Sequence, residues 1–233
     1  MDGRATTESS ARRTRRELLA AVGGGTAVAV AGCLGGGPDT LEDGDATGTA
    51  TGSPASDILS TPVRGDPEAP VTVLAFEDFA CPHCRDYSLN VVPDILAEYA
   101  DDGTIRYEFH DFPIPVDEDV SWNAACAARA VQARADDEAF FEYAHALFEA
   151  QSDLGPDAYE RLADDAGLDG AAVRESALDG EYRPTVAADR QRGEEAGVRG
   201  TPTVAVDGTV VDPTYDAISA AIEDALGTRT ETP

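Results

Sequence analysis

The sequence contains no lysine. All 17 basic residues among its 233 positions are arginines, set against 45 aspartates and glutamates, for a net charge of −28. A chain so short of positive charge has no basic face for nucleic acid or an anionic membrane surface, which excludes both as partners. It also repels itself unless screened. In ~1 M salt the Debye length shrinks to ~3 Å, so the acid excess and the missing lysine together point to a protein adapted to very high salt. Long hydrophobic runs are absent as well. The most apolar stretch, Leu18 to Ala31, is rich in glycine and alanine and falls short of the ~20 apolar residues that a spanning helix needs. No internal repeat is visible, and cysteine is scarce, with four residues in all.

What is present begins with an export leader. Arg12, Arg13, Arg15 and Arg16 form a basic segment ahead of Leu18–Ala31. Thr14-Arg15-Arg16-Glu17-Leu18-Leu19 resembles a twin-arginine signal, which serves proteins exported already folded. Val30-Ala31-Gly32-Cys33 resembles a lipobox, so residues 1–32 are expected to be removed and Cys33 to be lipidated. A single acyl chain holds a membrane only marginally, so stable anchoring needs two chains or an equivalent lipid. Residues 33–60 are Gly, Thr, Asp, Ser and Pro with almost nothing apolar, and are expected to form a disordered tether with a span of roughly 25–30 Å. The expected location is therefore outside the cell's cytoplasmic membrane, anchored to its outer face.

Residues 61–228 read as one α/β domain, followed by a short tail, 229–233. Val71–Phe76 is a strand candidate. The following helix carries Cys84, Ser88, Val91, Val92, Ile95, Leu96 and Tyr99 at helical spacing, with Pro93 inside it as a kink. Thr104–Phe109 alternates like a strand. Helices are predicted over Ser121–Arg134, Glu138–Glu149, Asp157–Ala166, 170–179 and 184–196. Thr203–Val206 and Thr209–Val211 flank Asp207-Gly208, a two-residue hairpin signal, and Pro213–Leu226 closes the chain as a helix.

The chemistry is carried by Cys81-Pro82-His83-Cys84, placed where a strand runs into the first turn of a helix. A thiolate is the nucleophile in thiol–disulfide exchange, so a cysteine with an ordinary pKa of ~8.5 must be shifted down to act at neutral pH. The helix N-terminus, with its free N–H groups, favours a Cys81 thiolate. Pro82 fits the first helical position because its missing N–H is not needed there. His83 can donate a hydrogen bond or carry positive charge. In high salt only such contacts survive screening, which makes His83 the expected tuner. Cys81 is expected to be the exposed attacking thiol and Cys84 the buried resolving one. A structural zinc site wants four ligands, and a structural disulfide across so small a loop gains little entropy. Neither metal nor cofactor is called for beyond a redox-active Cys81–Cys84 disulfide. Cys126, on an alanine-rich stretch behind Trp122, reads as a buried inert thiol. His110 and His145 read as structural or surface residues, and Trp122, Phe140, Phe141 and Phe148 as core.

Gly65 to Val73, Glu77-Asp78-Phe79-Ala80-Cys81-Pro82-His83-Cys84, Asp111-Phe112-Pro113, Trp122 to Ala127 and Gly197-Val198-Arg199-Gly200-Thr201-Pro202-Thr203 together resemble the DsbA-like branch of the thioredoxin superfamily. The resemblance implies a thioredoxin fold with an inserted helical subdomain, about 117–196. It implies that Thr201–Pro202 is a cis peptide facing the Cys pair and holding the backbone of an extended substrate. It implies an extracytoplasmic oxidoreductase acting on thiol-containing exported proteins and served by a membrane redox partner. A disulfide reductase or isomerase arm, or a non-catalytic tethered peptide-binding module, are the alternatives. Relatives usually carry a buried acid six residues before the first cysteine. Here Ala75 stands there, with Glu77 or Asp78 as possible replacements in a proton relay.

Overall fold

The protein is described by a computed structural model over residues 58–230; the leader, Cys33 and most of the tether lie outside the described residues. Five strands, β1 (Val63–Gly65), β2 (Val71–Glu77), β3 (Ile105–Asp111), β4 (Thr203–Val206) and β5 (Thr209–Val211), form one sheet in the order β1-β3-β2-β4-β5. Only β2 and β3 run parallel; the other three pairings are antiparallel. The β4–β5 hairpin turns on Asp207 and Gly208 with φ of 46° and 81°, the doubly left-handed turn that matches strand twist.

The helices are α1 (Pro82–Asn90), α2 (Val92–Ile95), α3 (Glu118–Arg134), α4 (Asp137–Glu149), α5 (Pro156–Asp165), α6 (Gly170–Asp179), α7 (Arg183–Ala196) and α8 (Tyr215–Thr230), with a π turn over Leu96–Ala100. Helices α3 to α7 all lie between β3 and β4. Aspartate side chains cap three of them, and α3 and α4 begin earlier than apolar periodicity suggests. Asp117 accepts from Val120 N at 3.1 Å, Asp136 from Ala139 N at 2.9 Å and Asp169 from Ala172 N at 3.1 Å. The single kinked helix expected after Cys84 is instead broken at Val91. Pro93 has no N–H for the Leu89 carbonyl, so the chain closes one helix and opens another.

One face of the sheet, with Val71, Val73, Ala75, Tyr107, Val204 and Val206, packs on Ile95, Tyr99, Ile218 and Ile222. A second core joins the sheet to the helical insertion. There Phe79 stacks on Phe109 at 5.6 Å and meets Phe148 at 4.8 Å, while Phe109 meets Phe140 edge-on at 5.2 Å.

Beyond Tyr107, β3 does not alternate as its sequence suggests; both of its faces are covered. Its buried polar residues are taken up by a charge cluster with α3 and α7. Arg129 is fully buried and donates to Asp111 Oδ2 at 2.7 Å and to Asp189 Oδ2 at 2.5 Å. His110 sits between Glu108 at 3.2 Å and Asp189 at 3.3 Å and stacks on Phe76. Burial pushes the Asp111 carboxyl up to about 6 against the pull of Arg129. At Asp189 burial is outweighed by the His110 bond and the Arg129 charge, which hold it below the ordinary carboxylate value.

Candidate active site

β2 ends at Glu77, a three-residue loop follows, and Cys81 occupies the N-cap of α1 with Pro82 next in line. Cys81 has extended backbone torsions, φ −81° and ψ 120°, which set it at the open N-terminal end of the helix. Cys81 and Cys84 are both free thiols here. The Cys81 thiol is brought down to about 5, first by the Cys84 thiol donating to it. Burial opposes that; Thr201 and the backbone N–H groups of Cys84 and His83 add to it. The carbonyl of Thr201 lies 3.4 Å from Cys81 Sγ, and its buried hydroxyl has no hydrogen-bond partner.

Two expectations change at this point. Cys81 is only 3 % exposed, so the attacking thiol is buried rather than presented on the surface. The imidazole of His83 is exposed, and His83 acts on the thiolate through its backbone N–H, the last of the contributions. Tuning is thus done by the first turn of α1 and the neighbouring thiol, not by the His83 ring.

Cys84 is fully buried. Burial, the Cys81 thiolate and the charge of Glu77 all push its thiol far above the ordinary value. The two cysteines are therefore polarised in opposite directions, one ready as a thiolate and the other held as a thiol.

The two candidate acids separate clearly. Glu77 is 2 % exposed and accepts a very short hydrogen bond from Ser88 Oγ, one helical turn beyond Cys84. Burial pushes its carboxyl up to about 8; the Ser88 bond opposes this and the Cys81 charge adds to it. At neutral pH it holds a proton beside the resolving thiol. Asp78 is a brace instead. Its carboxylate accepts from Ala80 N at 2.8 Å, Ile114 N at 2.7 Å and Ser121 Oγ at 2.9 Å, and its own N–H reaches Cys84 Sγ at 3.4 Å. Ala75 is wholly buried in the core face. Glu77 also lines a cavity of ≈ 420 Å³ between α1 and α4, whose other walls include Ser88, Phe148 and His145.

Thr201–Pro202 is a cis peptide bond. With His83, Asp86, Tyr87, Val91 and Pro213 it lines a cleft of ≈ 360 Å³ beside the Cys pair. Trp122 is half-buried under the guanidinium of Arg183, which lies 4.3 Å from its ring centre. Cys126 is 1 % exposed, and burial raises its thiol to about 12, as an inert core cysteine requires. His145 is exposed. Among the described residues no group of three or more His, Cys, Asp or Glu could hold a metal, and no helix is long and apolar enough to cross a membrane.

Two residues at the site carry no sequence signal. Ser88 was legible only as a helix-face position. Gln151, at the start of a short 3-10 turn Gln151–Asp153 after α4, reaches back to the cysteine loop and donates to the carbonyls of Phe79 and Cys81.

Residues 58–224 match the family described as thioredoxin. Disulfide bond formation protein D of Bacillus subtilis is 28% identical over 177 residues, which cover 72% of this chain and 78% of that protein. A Na(+)/H(+) antiporter, NhaA 3 of Salinispora tropica, is 34% identical over 166 residues, and the match spans 70% of this chain but only 24% of the antiporter. The crystal structure of oxidised BdbD from Bacillus subtilis superposes with a TM-score of 0.66 at 27% identity, covering 72% of this chain and 93% of that one. Chlamydia trachomatis DsbA, at 21% identity and a TM-score of 0.63 over 72% of this chain and 92% of its own, shares the fold.

Proposed function

The chain belongs to the thioredoxin family, and from that premise we propose that it is an extracytoplasmic thiol–disulfide oxidoreductase that oxidises cysteines of exported proteins. The observation that carries this is the opposite polarisation of the pair: Cys81 down to about 5, Cys84 far up. A thiolate stabilised in the reduced enzyme makes its disulfide a stronger oxidant. The names of the Bacillus relatives point the same way.

In the oxidised enzyme Cys81 and Cys84 share the disulfide. A substrate thiolate attacks Cys81 Sγ, the S–S bond breaks, and its electron pair goes to Cys84, which takes a proton. Glu77, protonated at neutral pH and close enough for its charge to act on Cys84, is the source of that proton. A second substrate thiolate then attacks the substrate sulfur of the mixed disulfide, and Cys81 leaves as a thiolate held by α1. The substrate has lost two electrons and the enzyme has gained them. Thr201 and Pro202 hold the substrate backbone against Cys81. A membrane redox partner returns the pair to the disulfide.

The N-terminal segment supports export by a twin-arginine route, lipidation at Cys33 and anchoring to the outer face of the cytoplasmic membrane. The acid excess without lysine supports function in very high salt. The decisive measurement is the Cys81–Cys84 reduction potential against glutathione at high salt. A value well above the glutaredoxin range, roughly −200 to −230 mV, is expected; one far below it makes the protein a reductase. If Cys81→Ser leaves thiol oxidation unchanged, the domain is a tethered binding module instead. Release of the protein from membranes by Cys33→Ala tests the anchor.

A further inference from the structure

The cysteine loop is tied on both of its polar sides. Asp78 takes its N–H groups: Cys81 N donates to Asp78 O at 3.0 Å and Ala80 N to Asp78 Oδ1 at 2.8 Å. Its carbonyls are taken by one side chain from outside. Gln151 Nε2 donates to Phe79 O at 2.8 Å and to Cys81 O at 2.9 Å, across 70 residues of chain from Cys81. Two carbonyl partners require the NH₂ end of the amide at this spot, since the amide oxygen has nothing to donate. Cys81 O also accepts from Arg85 N at 3.1 Å in the first turn of α1, so Gln151 grips the residue at which loop becomes helix.

That grip bears on the chemistry. The Cys81 thiolate draws on groups from separate elements, namely Cys84 and His83 on α1 and Thr201 before β4. All of them are reached only while the Cys81 backbone keeps its extended torsions, and the thiolate's stabilisation is therefore as good as the loop is still. We propose that Gln151 is a positioning residue for thiol–disulfide exchange: through it the helical insertion sets the Cys81 thiolate, and with it the reduction potential of the pair. It rests on Cys81 being the attacking thiol, as argued above.

Gln151→Met keeps the length and volume of the side chain and removes both donors. The net worth of one ordinary hydrogen bond is a factor of about five. The equilibrium constant for oxidising glutathione should fall about fivefold, which for a two-electron couple is about 20 mV. The Cys81 titration, followed by thiolate absorbance, should move upward with it. Gln151→Asn keeps the donors on a stem one carbon shorter and should shift both readouts in the same direction. Denaturant unfolding of the oxidised forms shows that each variant is folded; if Gln151→Met is not, Gln151→Asn decides by the same two readouts. Folded variants with the wild-type potential and titration would make Gln151 a tie between subdomains and overturn the proposal. Wild-type protein that exchanges no disulfide with glutathione would instead sink the oxidoreductase assignment itself.

Discussion

Glu77→Gln is the substitution whose outcome the structure sets most sharply. The Glu77 carboxyl titrates near 8 in the folded protein, where an unburied glutamate titrates near 4.5. Below pH 4.5 both states hold the proton and Glu77 is neutral to stability. As pH rises from 4.5 to 8 the unfolded chain releases a proton that the folded chain keeps, so stability falls across that window and is level above it. At 1.36 kcal/mol per pH unit the penalty reaches at most ~5 kcal/mol, less whatever the adjoining cavity recovers by admitting water. Glutamine fills the same space and can still accept from Ser88 without ever ionising. Urea unfolding should be followed on the oxidised forms, because the Cys81 thiol runs the other way. Its pKa is lowered from 9.0 to about 5, so in the dithiol protein it adds stability as pH rises through that range. The expected result is near-equal stability of wild type and variant at pH 4 and a growing advantage for the variant up to pH 8.5. The rate of substrate oxidation should lose its inflection near pH 8. An identical difference at both ends of the pH range would refute the placement of a protonated Glu77 behind Cys84.

Cys84→Ser should accumulate a mixed disulfide when treated with a disulfide such as oxidised glutathione: the Cys81 thiolate attacks one sulfur, the other leaves as a thiolate, and no resolving sulfur remains; intact mass after quenching reads it, and adducts at Cys126 instead would contradict the roles assigned. Arg129→Leu leaves Asp111 and Asp189 buried without their cation and should destabilise the fold by ~3–5 kcal/mol, while the potential of the remaining folded protein stays at the wild-type value. Gly193→Ala puts a methyl group 2.7 Å from the Phe112 ring and 3.0 Å from Phe76, so α7 or the rings must shift. A loss of about 1–3 kcal/mol is expected in denaturant unfolding, and a neutral result would show that this packing yields freely.

Local chemistry made much of the chain legible in advance. Asp207-Gly208 announces its hairpin because two residues with positive φ suffice to reverse a strand. The helix over Gly170–Asp179 is readable from its periodicity and from Gly180, which closes it in the left-handed region. The three-residue strand β1 is not readable. It is too short for alternation to register, and it exists because β3 offers it an edge and Asp137 Oδ2 accepts from Val63 N at 2.9 Å. Apolar periodicity marks the starts of α3 and α4 late for a related reason: a capping aspartate is polar and breaks the apolar pattern that marks the helix.

At the site, the order of residues along the chain was enough to name Cys81 and Cys84, since thiols two apart at a helix start are within reach of one another by helix geometry alone. Thr201 and Pro202 came from the resemblance, and the structure sets Thr201 against Cys81 across the sheet. Everything that depends on burial had to wait for the tertiary structure. Glu77 and Asp78 are adjacent acids with equal claims in the sequence. Their places, Glu77 at the buried end of β2 and Asp78 at the start of the cysteine loop, make one a protonated carboxyl behind Cys84 and the other a brace for the loop. The His83 ring looks like the tuner until the fold turns it to solvent and leaves the work to its N–H and to Cys84. Gln151 is indistinguishable from any surface glutamine until the insertion brings it to the cysteine loop. A sequence carries the identity of each donor and acid, whereas desolvation and hydrogen-bond partners arise only when distant segments meet, and these set the protonation on which the exchange reaction depends.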